Sequence, residues 1–228
     1  MSGRLLKFLA AGACAAAFSF TGEASAATLT YTAVGITYTD QITIDYPDPA
    51  GVNTYVGMFQ LTTTSGTVDV FCVDLFHDID PSGGVYSWGK LTNDSKTPPP
   101  PNALSPKQIG EIGALVARAQ AFMKASTDPA DVAAAIQLAI WTVEYPAFAF
   151  DESTANSRTL SYYNTYLGDV GTWPWNTAYD ALISVKGQTL AETQNLVTTP
   201  EPSTWAMMLL GFAGLAYSGW RTMRTRAA

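Results

Sequence analysis

The chain has 228 residues, of which 47% are hydrophobic and only 14% are charged, and its formal net charge is −7. This composition excludes a disordered acidic chain, which combines low hydrophobicity with high charge. Between residues 27 and 199, seventeen Asp and Glu stand against seven Lys and Arg, a difference of −10. Such an acidic segment excludes a nucleic-acid-binding surface, because phosphates require a basic face.

The N-terminus has the three parts of a secretory signal peptide. Arg4 and Lys7 precede an apolar stretch, and Ala24-Ser25-Ala26 forms a small-x-small cleavage site. We therefore predict that residues 1–26 are removed on export through the inner membrane. Residues 27–199 then form one extracytoplasmic domain, long enough to bury its own core.

The first part of this domain has the pattern of β-strands. Residues 28–44 alternate polar positions with β-branched and aromatic residues. Residues 55–64 and 67–76 flank the turn dipeptide Ser65-Gly66, which predicts a hairpin. A further strand is predicted over residues 85–91.

Two predicted helices follow. Ser105-Pro106 supplies a cap and a first helical residue for a helix that runs to about Lys124. Asp128-Pro129 repeats this start signal for a second helix that runs to about Glu144. The second helix is apolar nearly all round, so we expect it in the centre of the domain.

The last part of the domain has fewer signals. Residues 177–186 predict a short amphipathic helix, and residues 194–198 predict a closing strand. The predicted fold class is therefore α+β: an antiparallel β sandwich or barrel packed against two or three helices, plus a C-terminal transmembrane helix.

Cys72 and Gln137 are the two residues with distinctive chemistry. Cys14 leaves with the signal peptide, so the exported domain has one cysteine and no internal disulfide is available to it. Gln137 lies in the middle of the apolar second helix, where an amide is costly unless its groups are hydrogen-bonded. The ordinary interpretation is a buried thiol that acts as a small hydrophobe and an amide satisfied within the core.

The segments around these residues resemble two motifs of the thioester domains of Gram-positive surface adhesins. Phe71-Cys72-Val73 is similar to that family's aromatic-or-Leu, Cys, apolar strand motif. Residues 136–141, Ile-Gln-Leu-Ala-Ile-Trp, are similar to its apolar-Gln-x-x-apolar-Trp helix motif, although the commoner form has Thr where Ile136 stands. The resemblance implies an internal thioester between Cys72 and Gln137, which acylates an amine or hydroxyl partner once and is not a turnover enzyme.

The predicted thioester environment consists of three aromatic side chains and one carboxylate, namely Phe71, Asp74, Trp141 and Tyr145. Trp141 lies one turn beyond Gln137 on the same helix face, and such aromatics exclude water until a partner arrives. Asp74 is predicted to share the strand face of Cys72, where it either orients the reacting pair or caps a turn.

The sequence predicts neither a Cys–His catalytic pair nor a metal site. His77 is an odd number of residues from Cys72, which places the two side chains on opposite faces if the strand continues and disfavours a Cys–His protease pair. One cysteine and one histidine cannot supply a zinc site. A calcium loop starting at Asp78 lacks its final Glu, because Gly89 stands there. We predict no metal and no cofactor.

The C-terminal segment, residues 200–228, combines three features in order. Pro200-Glu201-Pro202 precedes an uncharged run, residues 203–220, and three arginines follow at Arg221, Arg224 and Arg226. The run is just long enough for a bilayer, which needs about 20 mainly apolar residues, and the arginines keep the C-terminus cytoplasmic. This order resembles the PEP-CTERM sorting signal of Gram-negative bacteria that make exopolysaccharide.

That resemblance implies a membrane-embedded exosortase as partner, cleavage near Pro200-Glu201-Pro202 after transient anchoring, and a final place at the cell surface or in the biofilm matrix. A plain tail anchor is the alternative for this segment. For the exported domain the leading hypothesis is a covalent adhesin. An inert structural matrix protein that shares only the tail, and a thiol hydrolase that uses Cys72, are the alternatives.

Overall fold

Six antiparallel strands form a closed barrel in the computed structural model, which describes residues 28–46, 50–91, 104–175, 180–184, 195–198 and 212–213. The strands are β1 (Thr28–Ile44), β2 (Val52–Thr63), β3 (Gly66–Cys72), β4 (Gly84–Lys90), β5 (Asp180–Ser184) and β6 (Leu196–Thr198). Their order around the barrel is β1-β2-β3-β6-β5-β4. Closure pairs every strand on both sides, so the short C-terminal strands β5 and β6 complete a barrel begun by the N-terminal half.

The predicted N-terminal strands and the hairpin are confirmed, with one difference that matters for the site. The β2–β3 turn lies at Thr64-Ser65, before Gly66. β3 ends at Cys72 and does not reach residue 76 as predicted. The reason is local: a side-chain oxygen of Asp74 accepts the backbone N–H of Phe76 at 2.9 Å, which forms a turn in place of further strand.

A glycine permits the close approach of β1 and β2 at an irregularity in their pairing. The pairing of these strands shifts register between Gly35 and Tyr38. Opposite this shift, Gly57 has φ of 149°, and a Cβ there would stand 2.2 Å from the carbonyl oxygen of Tyr38. No other residue type fits such an approach.

The structure has three described helices of a turn or more within residues 104–175: α1 (Pro106–Ala125), α2 (Pro129–Glu144) and α3 (Ser157–Val170). α2 packs on the barrel, and α1 and α3 pack on α2. Both predicted helices are confirmed as α1 and α2, and Ser105 forms a capping box with Gln108 as its start signal indicates. The sequence analysis missed α3. Its signal was present, because Asn156 caps the helix by accepting the N–H groups of Arg158 and Thr159 at 3.0 and 2.9 Å.

α2 is the central helix, as its apolar sequence predicts. Ala134, Leu138 and Trp141 belong to the core cluster shared with the barrel strands. Ile136 and Ile140 belong to the second cluster, which α1 and α3 complete. The helix therefore lies between the barrel and the other two helices, with Gln137 fully buried between the two clusters.

The predicted helix over residues 177–186 is wrong in its described part, because residues 180–184 form strand β5. Ala181 and Leu182 are fully buried and pair with β4 and β6, as in Trp88 opposite Leu182. Tertiary pairing thus overrides the local helical periodicity. The predicted closing strand is confirmed as β6.

The targeting segments lie outside the described residues. These are the signal peptide, residues 1–26, the Pro200-Glu201-Pro202 triplet and the three C-terminal arginines, together with the predicted span at residues 203–220 apart from 212–213. In the part of the chain that the structure describes, no helix is long and apolar enough to cross a membrane.

Candidate functional site

Cys72 and Gln137, 65 residues apart in sequence, are in direct contact. The backbone N–H of Cys72 donates to Gln137 Oε1 at 2.8 Å, and Gln137 Nε2 donates to the carbonyl oxygen of Cys72 at 2.9 Å. Pairing of β3 with β2 ends at Val70 and Phe59, so the amide takes the place of a β2 residue beside Cys72. This pairing satisfies a buried amide and a strand end together. The thioester bond between the two residues stays a prediction.

The surroundings of the Cys72 thiol keep it protonated. The side chain is buried and forms no disulfide within the described residues. Burial raises the pKa of the Cys72 thiol well above its usual range, and the negative charges of Asp74, Glu144 and Asp78 raise it further. Little thiolate is therefore present at neutral pH, so any attack by this sulfur requires a nearby base.

Asp74, two residues after Cys72, contacts His77. Asp74 is fully buried, and its Oδ2 lies 2.8 Å from Nδ1 of His77, whose side chain is 21% exposed. Burial raises the pKa of the Asp74 carboxyl, while hydrogen bonds from the Phe76 N–H and His77 oppose this shift. Asp74 thus caps a turn, one of its two predicted roles, and orients His77.

A cavity of about 730 Å³ lies beside Cys72 and reaches the surface. We call it the Cys72 cavity. Cys72, His77 and Trp141 all line it, together with Asp78 and mainly apolar side chains from β1, β2 and the segment after β3. Its volume falls within the range of small-molecule sites, roughly 300–1,000 Å³. Cys72 and His77 therefore contribute to the wall of the same cavity.

The predicted aromatic neighbours divide between the two sides of the sheet. Trp141 lines the Cys72 cavity, is 3% exposed, and its indole N–H has no hydrogen-bond partner among the described residues. Tyr145 packs edge-on against Phe76, with ring centroids 5.6 Å apart, and its hydroxyl accepts the N–H of Leu75 at 3.4 Å. Burial raises the pKa of the Tyr145 hydroxyl. Phe71 belongs instead to the core cluster on the helix side.

The structure brings His77 to the site although its sequence separation from Cys72 is odd. The alternation argument required β3 to continue past Cys72, and β3 ends there. His77 therefore lies in a turn segment, on the same cavity as Cys72. The signal that finds it is the Asp-x-x-His spacing, because an Asp that turns the chain through residue i+2 can also reach residue i+3.

Residues 198–224 match the PEP-CTERM protein-sorting motif. The predicted sorting tail is thereby confirmed, and the motif marks an exported protein that is sorted to the cell surface. It begins at Thr198, the last residue of β6, so the sorting tail follows directly on the strand that closes the barrel.

The chain matches no curated protein sequence. Among solved structures it is similar to the N-terminal thioester domain of a surface protein from Clostridium perfringens, with 10% identity and a TM-score of 0.47. The similarity covers 76% of this chain and 98% of that chain. A likeness of this degree assigns no chemistry to Cys72 or Gln137, so the site's chemistry depends on the contacts within this chain.

Proposed function

We propose that this exported protein is a covalent adhesin of the cell surface or exopolysaccharide matrix, in which Cys72 and Gln137 form an internal thioester. The observation that carries the proposal is the paired contact between the Gln137 amide and both backbone groups of Cys72, at 2.8 and 2.9 Å. It fixes the amide beside the residue whose sulfur must attack it. The thioester then acylates one amine or hydroxyl partner.

The contacts suit the closing reaction. The Cys72 sulfur attacks the Gln137 side-chain carbonyl carbon, the carbon–nitrogen bond breaks, and ammonia leaves with the thiol proton. Negative charge develops on Oε1 in the tetrahedral intermediate, and the Cys72 N–H already donates to this oxygen. The departing nitrogen is held by the Cys72 carbonyl oxygen.

When the thioester opens, the Cys72 sulfur is the leaving group, whereas it is the nucleophile when the thioester closes. The nucleophile's nitrogen or oxygen attacks the thioester carbon, the carbon–sulfur bond breaks, and the sulfur takes up a proton. The raised pKa of the Cys72 thiol makes its sulfur a slower leaving group, which protects the bond from water. His77, which is oriented by Asp74 and lines the same cavity as Cys72, serves as the base that takes the nucleophile's proton in this proposal. The product remains acylated on Gln137, so the reaction occurs once.

Intact mass and a thiol assay test this proposal. Residues 27–199, expressed as a separate domain, should be lighter than their sequence by one ammonia and should contain no titratable thiol. Cys72→Ala and Gln137→Ala should each show the full mass expected for their sequence. A domain of unmodified mass with a titratable Cys72 would contradict the thioester and leave the inert matrix protein or the thiol hydrolase.

His77→Gln tests the proposed base. The thioester mass should persist in this variant, while its opening by methylamine should slow by about 10²-fold or more, the usual contribution of a general base. Imidazole added to the buffer should restore much of the rate, because the side chain is 21% exposed. A merely structural role for His77 predicts no rescue, and an unchanged opening rate would remove His77 from the mechanism.

A further inference from the structure

We propose that the Cys72 cavity binds a small ligand with an ammonium group on an aromatic or branched alkyl body, and so selects the amine that Gln137 captures. The capture step rests on the proposed thioester. The binding step does not, because it depends only on the cavity's size, lining and charge.

The apolar lining indicates the body of the ligand. The described residues include six exposed large hydrophobic side chains, and four of them line this cavity: Ile36, Val52, Tyr55 and Phe76. Exposed apolar surface concentrated in one concave place is typical of a binding site. A sugar would lose hydrogen bonds to water in such a lining without replacing them.

The charges indicate the head group. Asp78 lines the cavity, and no Lys or Arg is among its described lining residues. The carboxylates of Asp74 and Glu144 act on Cys72 from within the core. A cavity with one acidic lining residue, two buried carboxylates behind Cys72 and no basic lining residue attracts a cation and repels an anion. The ammonium group is therefore drawn into the cavity that Cys72 and His77 line. It loses one proton to water before the neutral amine attacks the thioester, and His77 takes the second proton during the attack.

The indole of Trp141 indicates an aromatic body. Its buried N–H has no hydrogen-bond partner in the described part of the chain, although the side chain lines the cavity. A buried donor without a partner is destabilising, and a ligand that presents a ring face or an oxygen to it restores part of the interaction. An aromatic amine supplies this feature and the positive charge in one molecule.

Binding is tested without the thioester. The full-length Cys72→Ala protein in lipid nanodiscs is titrated by calorimetry with 2-phenylethylamine, with 3-phenylpropionate, which reverses the charge, and with glucosamine, which replaces the apolar body. We expect 2-phenylethylamine to bind at least about tenfold more tightly than either of the others. Equal affinity for the three molecules, or no binding of 2-phenylethylamine, overturns the proposal.

A matched pair of substitutions places the binding in this cavity. Val52 is 53% exposed and lines the cavity, whereas Thr62, on the same strand, is exposed and does not line it. In the Cys72→Ala background, Val52→Arg should weaken 2-phenylethylamine binding about tenfold by like-charge repulsion, and Thr62→Arg should leave it unchanged. Equal effects of the two substitutions would show that the amine binds elsewhere.

The reaction of the intact thioester with two different amines distinguishes ligand selection by the cavity from the thioester proposal itself. Wild-type protein that carries the thioester mass should react with 2-phenylethylamine at lower concentrations than with methylamine. If both amines react alike, the thioester stands and selection by the cavity is refuted. If the mass shows no thioester, the covalent function fails, and the titrations alone decide whether the cavity binds the amine.

Discussion

Methylamine should open the Cys72–Gln137 thioester, adding one methylamine to Gln137 and releasing the Cys72 thiol. The amine is small enough to enter the 730 Å³ cavity beside Cys72 without any rearrangement. The sulfur is the better leaving group in the tetrahedral intermediate, so the acyl group passes to nitrogen. Intact mass, peptide mapping at Gln137 and thiol titration over the same time course should report the same extent of reaction.

The controls for this reaction are Cys72→Ala and Gln137→Ala, which should take up no methylamine. Gln137→Ala also removes the two hydrogen bonds between the Gln137 amide and the Cys72 backbone, at a cost of about 0.5–1.5 kcal/mol for each bond. Its folding should therefore be checked by circular dichroism before its inertness is interpreted. Wild-type protein that stays unmodified after prolonged exposure would mean that the bond is absent or inaccessible.

The sequence was sufficient to predict most elements whose signals are local. The hairpin predicted from Ser65-Gly66 and the helix predicted from the Ser105-Pro106 cap each depend on a few adjacent residues, and both elements form, the hairpin with its turn one residue earlier. The central position of α2 follows from its apolar faces. The contact between Cys72 and Gln137, in contrast, has no local sequence signal. No periodicity connects a strand with a helix 65 residues later, and only the resemblance of two short motifs indicated it.

The features that the sequence did not predict depend on long-range packing or on a turn. β5 forms because β4 and β6 flank it, so the amphipathic pattern of residues 177–186 was misleading. His77 reaches the site because the Asp74 side chain turns the chain directly after Cys72. The Cys72 cavity combines residues from β1, β2, β3 and α2, so it forms only once these distant segments have packed together.

The strand that leads into the sorting tail, β6, pairs directly with the strand that carries Cys72, β3. Leu196 of β6 pairs with Cys72 of β3, and Val73 donates its N–H to the carbonyl oxygen of Asn195 at 2.9 Å. Pro200 follows the last residue of β6 by two positions. A cut close to the Pro-Glu-Pro triplet on its C-terminal side leaves β6 in the barrel, whereas a cut before Leu196 would remove the backbone partner of the residue that carries the thiol.

Replacing Pro200-Glu201-Pro202 by three alanines should stop release of the protein to the cell surface. If exosortase reads this triplet, the variant should accumulate in the inner membrane at the size of the chain without its signal peptide. Removal of the host's exosortase should produce the same species from the wild-type chain. Cell fractionation followed by immunoblotting measures both the location and the size.

Ser203→Ala with Thr204→Ala is the matched control, because it alters the two residues after the triplet, leaves the triplet intact and keeps the run of residues 203–220 uncharged. Replacing Arg221, Arg224 and Arg226 should also impair sorting, since the positive charges hold the C-terminus in the cytoplasm and so fix the orientation in which the triplet faces outward. A plain tail anchor requires a span and its flanking charge but not Pro-Glu-Pro. The triple-alanine variant at the cell surface, in wild-type amount and size, would therefore refute exosortase processing and leave a domain tethered to the membrane.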